Sequence, residues 1–186
     1  MLINNEVTGS SLRDMENFSD YRISAVLYES PSSSVYRGRR SQDGAPVIIK
    51  ALRKELPDPE EIKLLRYEYE LHSSLQAAGV TEVLDFISQG NIEAIVFDDF
   101  GGESLQKVLA ESSYSLLEKL QLSLKIVDAL GKIHQENIAH KDINPTHIIF
   151  NQDTDQLKII DFGTAEFTGS NNNSWDDTYR FTGTPA

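Results

Sequence analysis

His140-Lys141-Asp142-Ile143-Asn144-Pro145 and, nineteen residues beyond its aspartate, Asp161-Phe162-Gly163 are the stretches on which the reading of this 186-residue chain turns. Between the two aspartates the chain is apolar-rich and strand-like. Ile148–Phe150 and Leu157–Ile160 read as short strands around a polar turn, Asn151–Gln156. Upstream, Ser115-Leu116-Leu117-Glu118 is a capping box. The helix it opens carries Leu117, Leu120, Leu124 and Val127 on one face, and Leu116, Ile126, Leu130 and Ile133 widen the stripe. A stripe this broad predicts burial on most sides.

The rest of the chain supplies a strand-rich first half. Ile23, Val26, Val35, Tyr36 and Val47-Ile48-Ile49 are β-formers, and Asp43-Gly44 is a hairpin signal. Pro57-Asp58-Pro59-Glu60 announces a helix with Asp58 as N-cap and Pro59 as first helical residue, running into the low seventies and ending before Gly79. Val80–Ile87 and Ile92–Phe97 read as strands around Gln89-Gly90-Asn91. Residues 1–20 are polar and weakly patterned, as a leader or linker, and 169–178 form a polar loop.

Composition narrows the function. Net charge is −12, which disfavours nucleic acid and anionic membrane as main partners. With no cysteine, disulfides and thiolate metal sites are excluded. No apolar run approaches the roughly 20 residues of a membrane helix, and a signal-peptide core is absent. The expected location is the cytoplasm.

Two aspartates in this layout suit phosphoryl transfer: Asp142 to receive a hydroxyl proton, Asp161 to hold a hard cation against ATP. Lys50 ends the strand Val47-Ile48-Ile49-Lys50 and can reach the α- and β-phosphates if a carboxylate fixes it. Glu68, eighteen residues on, lies on the predicted helix and is read as that carboxylate, with a solvated helix side chain as the plainer alternative. His140 is expected to be structural, packing beneath Phe162 and bonding backbone. Phe162 would set helix position, and Gly163 would allow a sharp turn.

Taken together, these motifs resemble the eukaryote-like (Hanks-type) serine/threonine protein kinases over about residues 21–186. Ala139-His140-Lys141-Asp142-Ile143-Asn144-Pro145 with Lys158-Ile159-Ile160-Asp161-Phe162-Gly163 looks especially like the N-terminal kinase domain of very large bacterial, cyanobacterial-type proteins. In those proteins an ATPase-like region, a GAF sensor and a histidine kinase follow. The resemblance implies an α+β two-lobed fold: leader 1–20, small lobe 21–97 with five antiparallel strands and one helix, hinge 98–103, and a partial large lobe 104–186. It implies ATP and Mg2+ (or Mn2+) as cofactors and a protein substrate. Phe97 would be the gatekeeper, Asp98 to Phe100 would hydrogen-bond adenine, Val35 would line its slot, and Ile149 would sit under the base. Thr184 resembles the threonine that braces the catalytic aspartate.

Several positions depart from the family pattern. The three glycine positions of the phosphate-covering loop hold Tyr28, Ser30 and Ser33, so backbone amides approach phosphate less closely, although serine hydroxyls can still donate. Ile48 replaces alanine in the adenine slot. Asn144 replaces a lysine, removing a charge-assisted bond of about 1.5–3 kcal/mol, or roughly ten- to a hundredfold in rate. His147 stands where asparagine would donate oxygen to a second magnesium, and imidazole suits softer metals such as manganese better. Lys141 replaces the usual arginine. Phosphorylation at Ser170, Ser174, Thr178 or Thr182 is therefore weakly supported beside a reading of solvated hydroxyls.

The end at Gly183-Thr184-Pro185-Ala186 predicts an exposed helix stripe, and further domains or a partner to complete the large lobe. Two other functions stay open: a pseudokinase that binds nucleotide or partners without catalysis, and small-molecule phosphotransfer. The second fits the Gly-Thr-Pro-bearing activation segment less well.

Overall fold

The computed structural model describes residues 18, 20–53 and 57–168. Thr184, the loop 169–178, the four candidate phosphorylation sites and most of the leader lie outside these residues. The described chain forms two compact units. One holds the described residues up to Ile62 together with Leu84–Asp99, and the other holds Lys63–Val83 and the described residues from Phe100 onward.

The first unit is built on an antiparallel sheet. Its strands are β1 (Tyr21–Glu29), β2 (Ser33–Arg40), β3 (Pro46–Leu52), β4 (Val83–Gln89) and β5 (Ile92–Asp98), in the order β1-β2-β3-β5-β4. Alternation along β2 and β3 fixes the register, because a slip of one residue would turn every core side chain outward. Tyr36, Val47, Ile49 and Ala51 face the core, where Phe18 also packs, its ring 6.0 Å from that of Tyr36. The opposite face carries two cross-strand rows: Val35 beside Lys50 beside Ile95, and Arg37 beside Ile48 beside Phe97. The predicted turn at Gly44 is present, with φ of 74°.

Helix α1 (Pro59–Ser74) starts where the sequence places it. The Asp58 carboxylate accepts from Glu60 N–H at 3.0 Å, and Glu61 reaches back to Asp58 N–H at 3.0 Å. These bonds satisfy donors that the first turn leaves open. The strand expected from Val80 begins three residues later, at Val83. Val80 instead makes a single parallel bridge to Ile159, and the Gly79 carbonyl accepts from Ile159 N–H at 2.8 Å. Here the chain passes so close to a helix that a Cβ on Gly79 would lie 2.6 Å from Ala129 Cβ.

The second unit contains β6 (Glu103–Ser104), α2 (Leu105–Glu111), α3 (Leu116–Gln135), β7 (Ile138–Ala139), β8 (Ile148–Asn151), β9 (Gln156–Ile159) and β10 (Glu166–Phe167). The capping box at Ser115 and Glu118 forms as read. Burial of α3 does not follow the prediction of a helix covered on most sides. Leu122, Ala129 and Ile133 are buried, whereas Leu116, Leu117, Leu120, Leu124 and Val127 are exposed. The expectation of an exposed stripe is the one that holds. Two clusters form the core: one around Leu71, Ile133, Ile159 and Phe162, the other around Leu105, Leu122, Ile148 and Phe150.

Candidate active site

In the first unit, Val35, Ile48 and Lys50 share one face of the sheet because all three alternate with core residues. Tyr28 is exposed near the end of β1. Ser30 and Ser33 do not present hydroxyls outward as a phosphate loop would. Ser30 Oγ accepts from Ser33 N–H at 3.0 Å, and it lies 3.1 Å from the Ser33 carbonyl and 3.2 Å from Ser33 Oγ. The hydroxyls fasten the β1–β2 turn, a side-chain bond that serine makes readily in turns. Asp98 closes β5, and the adjacent Asp99 carboxylate lies 2.7 Å from Arg37 Nε.

In the second unit, Phe100 is held from two sides. Asn151 Nδ2 donates to its carbonyl at 2.6 Å, and the Lys158 ammonium lies 4.8 Å from its ring centroid. Ile149, in β8 opposite Ser104, is packed tightly beneath the chain: a Cβ on Gly102 would lie 2.6 Å from Ile149 Cγ2.

Four of the predicted residues converge around the loop between β7 and β8. His140, fully buried, lies 3.0 Å through Nε2 from the Ile160 carbonyl, and its Nδ1 accepts from Asp142 N–H at 3.3 Å. That pattern makes Nε2 the protonated nitrogen, since a carbonyl can only accept. Burial holds the imidazole below its ordinary pKa, with the Ile160 bond acting in the opposite direction. The structural role read for His140 is thus realised: its ring meets Phe162 edge-on at 4.8 Å.

Asn144 orients the loop. Its Oδ1 accepts from Thr146 N–H at 2.9 Å and from the Thr146 hydroxyl, which turns Nδ2 toward Asp142, 3.4 Å from Oδ1. His147 lies between the two aspartates. Its Nδ1 is 2.9 Å from the Asp142 carbonyl and 3.4 Å from Asp142 Oδ2, and its Nε2 is 3.6 Å from Asp161 Oδ2. The backbone is pinned by Ile160 N–H donating to the His147 carbonyl at 2.9 Å.

At Asp161-Phe162-Gly163 the turn differs from the expected one. Asp161, not Gly163, adopts the left-handed conformation, with φ of 66°. Aspartate tolerates that region better than most residues, and its Oδ1 accepts from Gly163 N–H at 3.4 Å. Gly163 serves clearance instead: a Cβ there would lie 3.3 Å from Asp161 Oδ1 and 3.7 Å from Glu68 Oε2. Glu68 is therefore buried beside this turn rather than solvated on the helix surface.

The sequence reading missed His72, Tyr67 and Lys141 as structural partners of the site. His72 is buried on α1, its Nε2 2.8 Å from the Thr81 carbonyl and its ring 4.8 Å from that of Phe162. Its signal was its place four residues after Glu68, on the same helix face. The Tyr67 hydroxyl donates to the Ala165 carbonyl at 3.0 Å, and burial followed by the Glu166 charge raises its pKa. Lys141 pairs with Glu166.

Among the described residues no three or more histidine and carboxylate side chains form a ready-made metal cage. The Asp161 carboxylate and the His147 imidazole do supply an oxygen and a nitrogen facing one another, which fits a cation shared with phosphate oxygens.

The Asp142 and Asp161 carboxylates thus stand at the two nitrogens of the His147 imidazole. The family model described as the protein kinase domain matches residues 22–186, and the chain belongs to that family. It is 29% identical over 168 residues to the serine/threonine-protein kinase dkf-2 of Caenorhabditis briggsae, covering 87% of this chain and 14% of that protein. It is 27% identical over 184 residues to the serine/threonine-protein kinase PkaA of Streptomyces coelicolor, covering 90% of this chain and 33% of that protein. A probable serine/threonine-protein kinase of Clostridium acetobutylicum is 27% identical over 148 residues, covering 78% of this chain and 22% of that protein. The chain thus spans a third or less of the length of these relatives.

Proposed function

We propose that this chain carries the nucleotide-binding and phosphoryl-transfer residues of a serine/threonine protein kinase. The observation that carries the reading is the placement of Asp142 and Asp161 on opposite sides of one imidazole, 3.4 and 3.6 Å from its two nitrogens. In this reading Asp142 accepts the proton of a protein hydroxyl, and Asn144 holds that carboxylate from the side. Asp161 binds a divalent cation, which when bound neutralises charge on the transferring phosphate. Lys50 is assigned to the α- and β-phosphates, and Glu68 is the carboxylate assigned to the same task. Val35, Ile48 and Ile149 are the residues assigned to adenine by resemblance, the Asp98 to Phe100 backbone is assigned to its hydrogen bonds, and Phe97 is the gatekeeper. The small lobe (21–97), hinge (98–103) and large-lobe portion (104–186) divide these tasks. The expected setting is the cytoplasm, in a larger bacterial multidomain signalling protein.

A nucleotide-binding pseudokinase is the second reading, favoured by the Ser30 and Ser33 hydroxyls being turned into the hairpin. Thermal-shift titration with ATP, in magnesium and in manganese, followed by γ-labelled ATP on the same samples, separates the two. Metal-dependent stabilisation with label transfer that Asp142→Asn abolishes supports the kinase. Stabilisation without transfer selects the pseudokinase, and no shift removes both readings.

A further inference from the structure

The Asn144 amide could present either of its ends to Asp142, and one neighbour decides which. Thr146 sets two donors on the same atom: its N–H lies 2.9 Å from Asn144 Oδ1, and its hydroxyl bonds that oxygen as well. A backbone N–H cannot accept, so the amide atom facing it is the oxygen. Nδ2 is thereby left 3.4 Å from Asp142 Oδ1 and 3.5 Å from the Asp142 carbonyl. This direction holds whichever nitrogen of His147 bears a proton, because it is set from the other end of the amide. The turn does not need the hydroxyl to close. Pro145 has no N–H to offer, but His147 N–H donates to the Asn144 carbonyl at 3.0 Å and Gln106 N–H to the Pro145 carbonyl at 3.1 Å. Thr146 is itself exposed, so its hydroxyl has water as an alternative partner.

We propose that Thr146 is a positioning residue for phosphoryl transfer: its hydroxyl holds Asn144 with the amide nitrogen toward Asp142, which keeps that carboxylate in one orientation. The inference rests on the reading of Asp142 as the group that receives the substrate proton. In that step the proton of a protein hydroxyl passes to Asp142 while its oxygen bonds to the γ-phosphorus and ADP leaves. A carboxylate that must meet one hydroxyl in line with one phosphate gains from being fixed beforehand. The hydroxyl and the amide act in series, each donor strengthening the next.

Transfer from γ-labelled ATP to a generic protein acceptor, measured on the full chain, is the test. Thr146→Val keeps the branched shape and removes the hydroxyl. Its kcat is expected to fall about two- to tenfold, as for one hydrogen bond, with KM for ATP unchanged. Thr146→Ser restores the donor and is expected to recover most of kcat. Asn144→Asp keeps both acceptors for Thr146 but removes the donor to Asp142, and is expected to lower kcat further. Nuclear magnetic resonance with 15N-labelled asparagine gives a readout that needs no transfer. The Asn144 side-chain amide signal, assigned by its loss in Asn144→Asp, is expected to move in Thr146→Val and to return in Thr146→Ser. A kcat that Thr146→Val leaves unchanged, a loss that Thr146→Ser does not recover, or an amide signal that stays in place overturns the positioning role and leaves the kinase reading standing. No transfer by the unsubstituted chain overturns both.

Discussion

The His140 imidazole meets the Phe162 ring edge-on at 4.8 Å, and the same histidine is fastened at both nitrogens, to the Ile160 carbonyl and to Asp142 N–H. One buried side chain thereby ties the two aspartate-bearing turns together. Phe162 has a second imidazole, His72, at 4.8 Å on its other contact.

Because burial holds the folded-state pKa of His140 below its ordinary value of 6.5, the unfolded chain takes up a proton that the folded chain refuses. Stability from this group is complete above the ordinary histidine pKa and is lost as pH falls below it. Urea midpoints measured from pH 7 down to about pH 5 are expected to fall, and in His140→Phe to fall less steeply. Parallel slopes would assign the pH dependence to other groups.

Phe162 is fully buried and meets both imidazoles edge-on. Its truncation in Phe162→Ala is expected to cost about 3–5 kcal/mol, as for large aromatic residues in close-packed cores. Phe162→Leu, which fills part of the space, is expected to cost distinctly less. Equilibrium urea unfolding reads both values, and equal losses would mean that ring contacts, not volume, dominate.

At Gly79 the clearance to Ala129 is too small for a methyl group. Gly79→Ala is expected to destabilise by about 1–3 kcal/mol through overpacking. Adding Ala129→Gly is expected to recover part of that loss, leaving the cost of a helical glycine and the close Cα. A double-mutant cycle with no coupling would contradict the contact, since touching residues rarely behave additively.

The apolar face of α3 formed by Leu116, Leu117, Leu120, Leu124 and Val127 is exposed. The chain as it stands is expected to bind an apolar fluorescent dye and to scatter light increasingly with concentration. Leu120→Glu with Leu124→Glu is expected to reduce both signals with little change in unfolding midpoint, as for surface substitutions. Unchanged dye binding would place the apolar surface elsewhere.

Much of this was legible in the sequence because short-range chemistry decides it. Asp58 and Ser115 cap their helices as read, since a cap needs only its own first turn. His140, Asp142 and Asp161 could be placed from spacing. Legibility failed where a partner distant in sequence decides. Periodicity identified the apolar residues of α3 but not which of them would be covered. Val80 looked like strand, yet it has only one bridge, to Ile159. Gly163 looked like the turning residue because glycine is the usual bearer of a positive φ; here Asp161 bears it. Ser30 and Ser33 carry donors suited to phosphate, but serine in a turn can also bond its own turn, and here that local alternative prevails.

Asn151 has a wider consequence. Its Nδ2 donates to the Phe100 carbonyl, and its Oδ1 accepts from Asp153 N–H at 3.0 Å and Thr154 N–H at 3.2 Å. One amide group thus closes the β8–β9 turn and fastens a segment fifty-one residues upstream. Spontaneous hydrolysis of that amide to a carboxylate would leave the turn closed but set a negative charge against the Phe100 carbonyl. Chemical ageing at this one position would therefore remove one of the two holds on Phe100, leaving its ring contact with Lys158.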